Sequence, residues 1–179
     1  MAARNLARQL RAVREEIGGR WHHARDPVGH ARSLGVKVGE RCRLISCSFG
    51  SEPYLVTIGD HVSATSVSFV THDGGVWVFR DEWPDADVMG PIVVGSNVFI
   101  GAEVMIMPGV TIGDNVVIGA RSLVTTDIPS DCVAVGVPAK PLRALSEYRA
   151  SLEPLTIPTA RLAPEAKRRA LLERFGRGR

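Results

Sequence analysis

Few side chains can move a proton near neutral pH, and this chain of 179 residues holds five that do so readily: His22, His23, His30, His61 and His72. His61 falls in the turn of IGDHVS, which reads as a structural position. His72 opens a long irregular stretch, residues 73–91, that carries Trp77, Phe79, Arg80, Trp83, Asp85 and Asp87. Flat apolar faces next to charges suit the capture of a small polar molecule. Long loops in compact domains are usually functional. Thiol chemistry has less support, because Cys42, Cys47 and Cys132 are odd in number and lack disulfide or zinc-ribbon spacing. They read as small buried hydrophobes. Neither GxGxxG nor a Walker sequence is present.

The elements that must position these groups come from a repeat. From Val94 the chain runs VGSNVF, IGAEVM, IMPGVT, IGDNVV, IGARSL, VTTDIP. The first column is aliphatic throughout, the second mostly Gly, and the fifth Val, Val, Val, Val, Ser, Ile. An earlier block runs VGERCR and LISCSF from Val38, then IGDHVS and ATSVSF from Ile58 to Val70, with a small insertion near Gly50 to Tyr54. Six residues match neither a 3.6-residue helix nor one long alternating strand, so the hexad is itself the unit. Its physical sense is a triangular coil. Each hexad makes one flat side, the aliphatic first residue points inward, the small second residue makes room at the corner, and successive coils pair their backbones. A β-sandwich would instead show turn clusters every ~8–12 residues, and these are absent.

Around the prism, Asn5 to Gly18 sets Leu6, Leu10, Val13 and Ile17 on one helical stripe with a Gly18-Gly19 stop. Pro164 to Phe175 reads as a second helix, with Ala166, Ala170, Leu171 and Phe175 against a basic face. The expected organisation is a helical segment over 1–35, the β-helix over 36–143 and a basic helical tail over 144–179. The net charge is +3, but residues 1–20 and 161–179 are basic, leaving the middle negative. The tails lack the aromatic interleaving of a nucleic-acid surface and read as solvated helix faces. No apolar run approaches the ~20 residues needed to span a bilayer, and arginines interrupt the N-terminus where a signal peptide would be apolar. A cytoplasmic protein is expected.

Residues 36–143 resemble the hexapeptide-repeat acyltransferases. The stretch IGAEVMIMPGVTIGDNVVIGARSLVTTDIPSDCVAVGVPAKPLR is similar to the last coils of the galactoside, maltose and streptogramin acetyltransferases. SFGSEPYLVTIGDHV and FVTHDGGVWVFRDE resemble surface-polysaccharide O-acetyltransferases. The resemblance implies a left-handed parallel β-helix, a homotrimer with active sites between neighbouring prisms, and acetyl-CoA as acyl donor. It also implies His72 as general base, Ala102 with its backbone N–H toward the thioester carbonyl, and Ala120 along the pantetheine channel. Thr125 and Thr126 match a Thr-Lys pair that contacts CoA, with Thr126 in place of the lysine. Lys140 and Arg143 fall where relatives hold the CoA phosphates, and cations there are physically apt.

Acceptor contacts have no clear counterpart in the family. Ser48, Glu52, Trp77, Arg80, Trp83 and Asp85 are candidates by position and chemistry. The expected reaction is O-acetylation of a sugar hydroxyl on a surface-glycan precursor. Acetylation of a streptogramin- or chloramphenicol-type drug, or of an amino sugar, stays open. A γ-type carbonic anhydrase would need three histidine ligands where the coils supply two, and no metal is expected. A non-catalytic scaffold is the remaining reading.

Overall fold

The structure, a computed structural model, describes residues 26–176. The helix expected over Asn5 to Gly18, and His22 and His23, lie outside the described residues. Of these, residues 26–146 form one compact unit, and residues 147–176 a second.

In the first unit the hexads become short strands on three parallel sheets, the three sides of a left-handed prism. Its first side stacks β1 (Lys37–Val38), β3 (Val56–Ile58), β6 (Ile92–Val94) and β9 (Thr111–Ile112). The second stacks β2 (Arg43–Ile45), β4 (Val62–Thr65), β7 (Val98–Ile100), β10 (Val116–Ile118) and β12 (Cys132–Gly136). The third stacks β5 (Ser68–Phe69), β8 (Met105–Ile106) and β11 (Leu123–Val124). One end is covered by α1 (Pro27–Ser33), which packs on β1 and β2. Asp26 caps α1 by accepting the Gly29 amide at 2.8 Å, and Pro27 stands where no amide is needed. At the other end β13 (Ala139–Ala144) folds back antiparallel on β12.

The aliphatic column forms the core. Val94, Ile100, Ile106, Ile112, Ile118 and Val124 are all at most 1% exposed. The fifth column, which the repeat left without an orientation, points inward as well: Val98, Val104, Val110, Val116, Ser122 and Ile128 are buried. Each buried Val or Ile contributes roughly 1.5–3 kcal/mol, so the two columns supply most of what holds the coil. Ser122 is tolerated there because its hydroxyl accepts the Gly136 amide at 3.1 Å.

The corners divide their work between two positions. The fourth residue of the hexad takes the left-handed conformation, as at Arg41, His61, Asn97, Glu103, Asn115 and Arg121, with φ between 56° and 62°. The second-position glycine answers to crowding instead: a Cβ on Gly101 would stand 2.5 Å from the Ala120 amide nitrogen of the next coil. At the corner carrying Arg41 and His61, side chains form a ladder. The His61 Nδ1–H donates to Asn97 Oδ1 (2.9 Å), Asn97 Nδ2 to Asn115 Oδ1 (2.8 Å), and Asn115 Nδ2 to Asp131 Oδ1 (2.9 Å).

Three departures from the six-residue pattern matter for the site. Val98 pairs with Val116 and Met105 with Leu123, a coil of 18 residues. Arg43 pairs with Ser63, so the first coil takes 20, the excess lying in the insertion around Gly50 to Tyr54. Val62 pairs with Val98, a span of 36 that contains the loop. The third side of the early coils is also one residue short at its corner. Phe69 pairs with Ile106 and fills the core column that the hexads assign to Val70, and Phe69 stacks on Phe49 at 5.2 Å between ring centres.

The second unit holds the rest of α2 (Leu145–Leu152), a 3-10 turn over Glu153–Leu155 and α3 (Pro164–Arg174), the last within the expected tail helix. Phe175, assigned to that helix's apolar stripe, is exposed. Among the described residues no helix is long and apolar enough to cross a membrane.

Candidate functional site

The chain leaves the prism after β5, at the corner between the third and first sides. There the Val70 amide still donates to Ile106 O, and the Gly90 amide donates to Thr71 O. His72 bridges Met89 in antiparallel fashion and the Asp73 amide donates to Val88 O, so the excursion is pinched shut at its neck with His72 at the foot. Gly90 returns the chain to the prism where the next coil crowds it: an added Cβ would run into the Gly109 nitrogen.

His72 is half-exposed, and its Nδ1 lies 3.2 Å from Glu52 Oε2 and 3.3 Å from Ser51 Oγ. Glu52 Oε2 also accepts the Thr71 hydroxyl at 2.7 Å, and Thr71 is fully buried. Hydrogen bonds from Ser51, then Thr71 and His72, hold the Glu52 carboxyl below the ordinary glutamate range. Both Ser51 and Glu52 belong to the insertion of the first coil, which continues into a 3-10 turn at Pro53–Leu55. Glu52, expected among acceptor contacts, thus meets the histidine.

The loop has internal structure. Asp73 Oδ1 accepts the Gly75 amide and starts a 3-10 helix over Gly74–Phe79. The Arg80 guanidinium donates to Pro84 O and Ala86 O, both at 2.9 Å, and pairs with Asp87 at 3.5 Å. Phe79 and Trp83 rings lie 5.1 Å apart. Arg80 is therefore bound up in shaping the loop. Trp77 is 75% exposed and Trp83 53%, and Asp85 is exposed beside them. Ser48 lies back on the third side, its hydroxyl 3.3 Å from Ser68 Oγ.

The residues expected to hold the acyl donor lie elsewhere on the prism. Ala102 and Ala120 stand one coil apart at the corner between the second and third sides, both exposed, with the Arg121 amide donating to Ala102 O. Thr125 and Thr126 follow β11 at the same corner as His72, two coils on. Lys140 and Arg143 are on β13, opposite Val135 and Val133. The third side separates Ala102 from the His72 corner, about six residues at ~3.3 Å each, or ~20 Å. His61 is engaged in the corner ladder, and His30 is half-buried in α1. Among the described residues no three His, Cys, Asp or Glu side chains gather as a metal site.

Residues 91–126 match the family described as bacterial transferase hexapeptide (six repeats). Protein CapG of Staphylococcus aureus is 47% identical over 152 residues, covering 83% of this chain and 88% of that protein. Among solved structures, a maltose O-acetyltransferase from Clostridium difficile is 38% identical with a TM-score of 0.54, over 62% of this chain and 59% of its own. A hexapeptide-repeat acetyltransferase from Vibrio cholerae, complexed with acetyl-CoA, is 32% identical with a TM-score of 0.53, over 62% and 61%. The chain thus spans about six tenths of the length of these two solved relatives.

Proposed function

The chain belongs to the hexapeptide-repeat acetyltransferase family and is an acyltransferase with acetyl-CoA as donor, and from that premise we propose that it acetylates a sugar hydroxyl of a surface-glycan precursor with His72 as general base. The observation that carries this reading is the setting of His72. It is the one described histidine that stands at the neck of a structured, aromatic-bearing loop, half-open to an incoming acceptor. His61 is tied into the ladder and His30 into α1.

In the proposed reaction Nε2 of His72 takes the proton of the acceptor hydroxyl as its oxygen attacks the thioester carbon. The tetrahedral oxyanion is met by the backbone N–H near Ala102, and the CoA thiolate leaves with the proton returned by the imidazolium. Ala120, Thr125, Thr126, Lys140 and Arg143 are proposed to line the path of CoA, the last two opposite its phosphates. Trp77 and Trp83 offer apolar faces for a sugar ring, with Ser48, Arg80 and Asp85 as polar contacts or supports.

A homotrimer is part of the same proposal. Within one chain, ~20 Å of the third side lies between Ala102 and the His72 corner, too far for both to touch one thioester carbonyl. Two neighbouring prisms, packed so that unlike corners meet, bring such groups together, and cyclic closure generates equivalent sites. A cytoplasmic setting is proposed with it.

The test is CoA release from acetyl-CoA by the native protein and His72→Ala, across sugars, nucleotide sugars, amino sugars and acetyl-accepting drugs. Release with one acceptor class, falling by ~10² or more in the variant, is expected. A drug or amino sugar as preferred acceptor would replace the sugar hydroxyl. No release with any acceptor, together with no binding of CoA, would refute the enzyme reading.

A further inference from the structure

We infer that Glu52 is a positioning residue that fixes the working tautomer of His72, and that the insertion in the first coil exists at this corner to deliver it. The inference rests on the acyltransferase reading above and deepens it.

The geometry begins with the repeat. The first coil takes 20 residues where a plain coil takes 18, and Glu52 precedes His72 by 20. Residues one coil apart in this fold stack on each other, so the added residues set a carboxylate one level below the imidazole. Had the coil been regular, the corner under His72 would hold no such arm. Gly50, with φ +63°, turns the chain there, and an added Cβ would stand 3.2 Å from Thr71 Oγ1.

The burial of the two partners differs in the sense that a base and its support require. The Glu52 side chain is 14% exposed and that of His72 is 41%. The carboxylate sits behind the ring, and the fully buried Thr71 hydroxyl holds it from the other side. Its ion-pair partner among the described residues is His72. An ionised carboxylate accepts only, so the hydrogen bond at 3.2 Å puts the ring hydrogen on Nδ1. Nε2 is then the nitrogen with the lone pair. When Nε2 takes the acceptor proton, the pair becomes imidazolium and carboxylate, and the charge that develops during attack has its counter-charge already in place. The proton leaves again on the CoA sulfur, so Glu52 stays ionised throughout. The neighbouring Ser51 hydroxyl, 3.3 Å from the same nitrogen, completes the support.

Two measurements test this. Ring-labelled histidine in the native protein, assigned against His72→Gln, should show His72 protonated at Nδ1 with Nε2 bare. A dominant Nε2–H form would overturn the inference, whatever any variant does. Glu52→Gln should lower kcat by roughly 10–100-fold with KM for acetyl-CoA within about twofold, and Glu52→Asp should recover part of the loss. An unchanged kcat with a raised acceptor KM would make Glu52 an acceptor contact and also overturn it. Full activity in His72→Ala would instead remove the base itself, which separates failure of the functional reading from failure of this one.

Discussion

Replacing Asn97 with alanine tests the account of how the coil turns its corners. Asn97 has φ +57°, accepts from His61 Nδ1 at 2.9 Å and donates to Asn115 at 2.8 Å. Alanine loses both hydrogen bonds, roughly 0.5–1 kcal/mol each near the surface. It must also adopt a left-handed conformation costing roughly 1–2 kcal/mol. The expected loss is therefore roughly 2–4 kcal/mol. Asn97→Gly loses the same bonds and escapes the steric cost, but its extra freedom when unfolded returns roughly 0.5–1 kcal/mol of that gain. Glycine should thus be milder than alanine by about 0.5–1 kcal/mol. Equilibrium urea unfolding followed by circular dichroism, at one fixed protein concentration, measures both. With a slope of ~2 kcal/mol/M, alanine should lower the midpoint by ~1 M or more. A glycine variant less stable than the alanine variant would refute the argument, since backbone strain would then not be what selects Asn at this corner.

Two further outcomes follow from other contacts. Gly101→Ala should destabilise by roughly 2 kcal/mol or more and weaken acetyl-CoA binding, because its Cβ meets the Ala120 amide nitrogen at 2.5 Å, whereas Gly74→Ala, with nothing within 4 Å, should stay within about 0.5 kcal/mol of wild type in the same urea assay. The Glu52 carboxyl titrates below its ordinary value near 4.5, so its stabilisation is complete above that value and is lost as pH falls through the lower folded value. Thermal melting from pH 6 down to pH 3 should accordingly show a shallower acid limb in Glu52→Gln than in the native protein, and identical limbs would refute the assignment.

The prism was legible in the hexads because most carry their own instruction: an aliphatic residue for the interior and a small residue, usually glycine, at the corner. Such information is local, and it repeats. The position of His72 was legible too, at the mouth of an irregular stretch between two regular blocks, while its part as base belongs to the proposal. What the sequence could not show is which residues meet across coils. Glu52 reads as one more polar residue near an insertion until the coil length is known to be 20 there, and only then does it fall beneath His72. The one-residue slip that puts Phe69 instead of Val70 in the core has the same origin, since a shortened corner shifts the register without altering the hydrophobic pattern enough to betray it. That Arg80 holds the loop through Pro84 O and Ala86 O is likewise a contact only the folded loop shows. Periodicity therefore determined the architecture, while stacking and register, which depend on exact coil lengths and corner geometry, decided the company each functional side chain keeps.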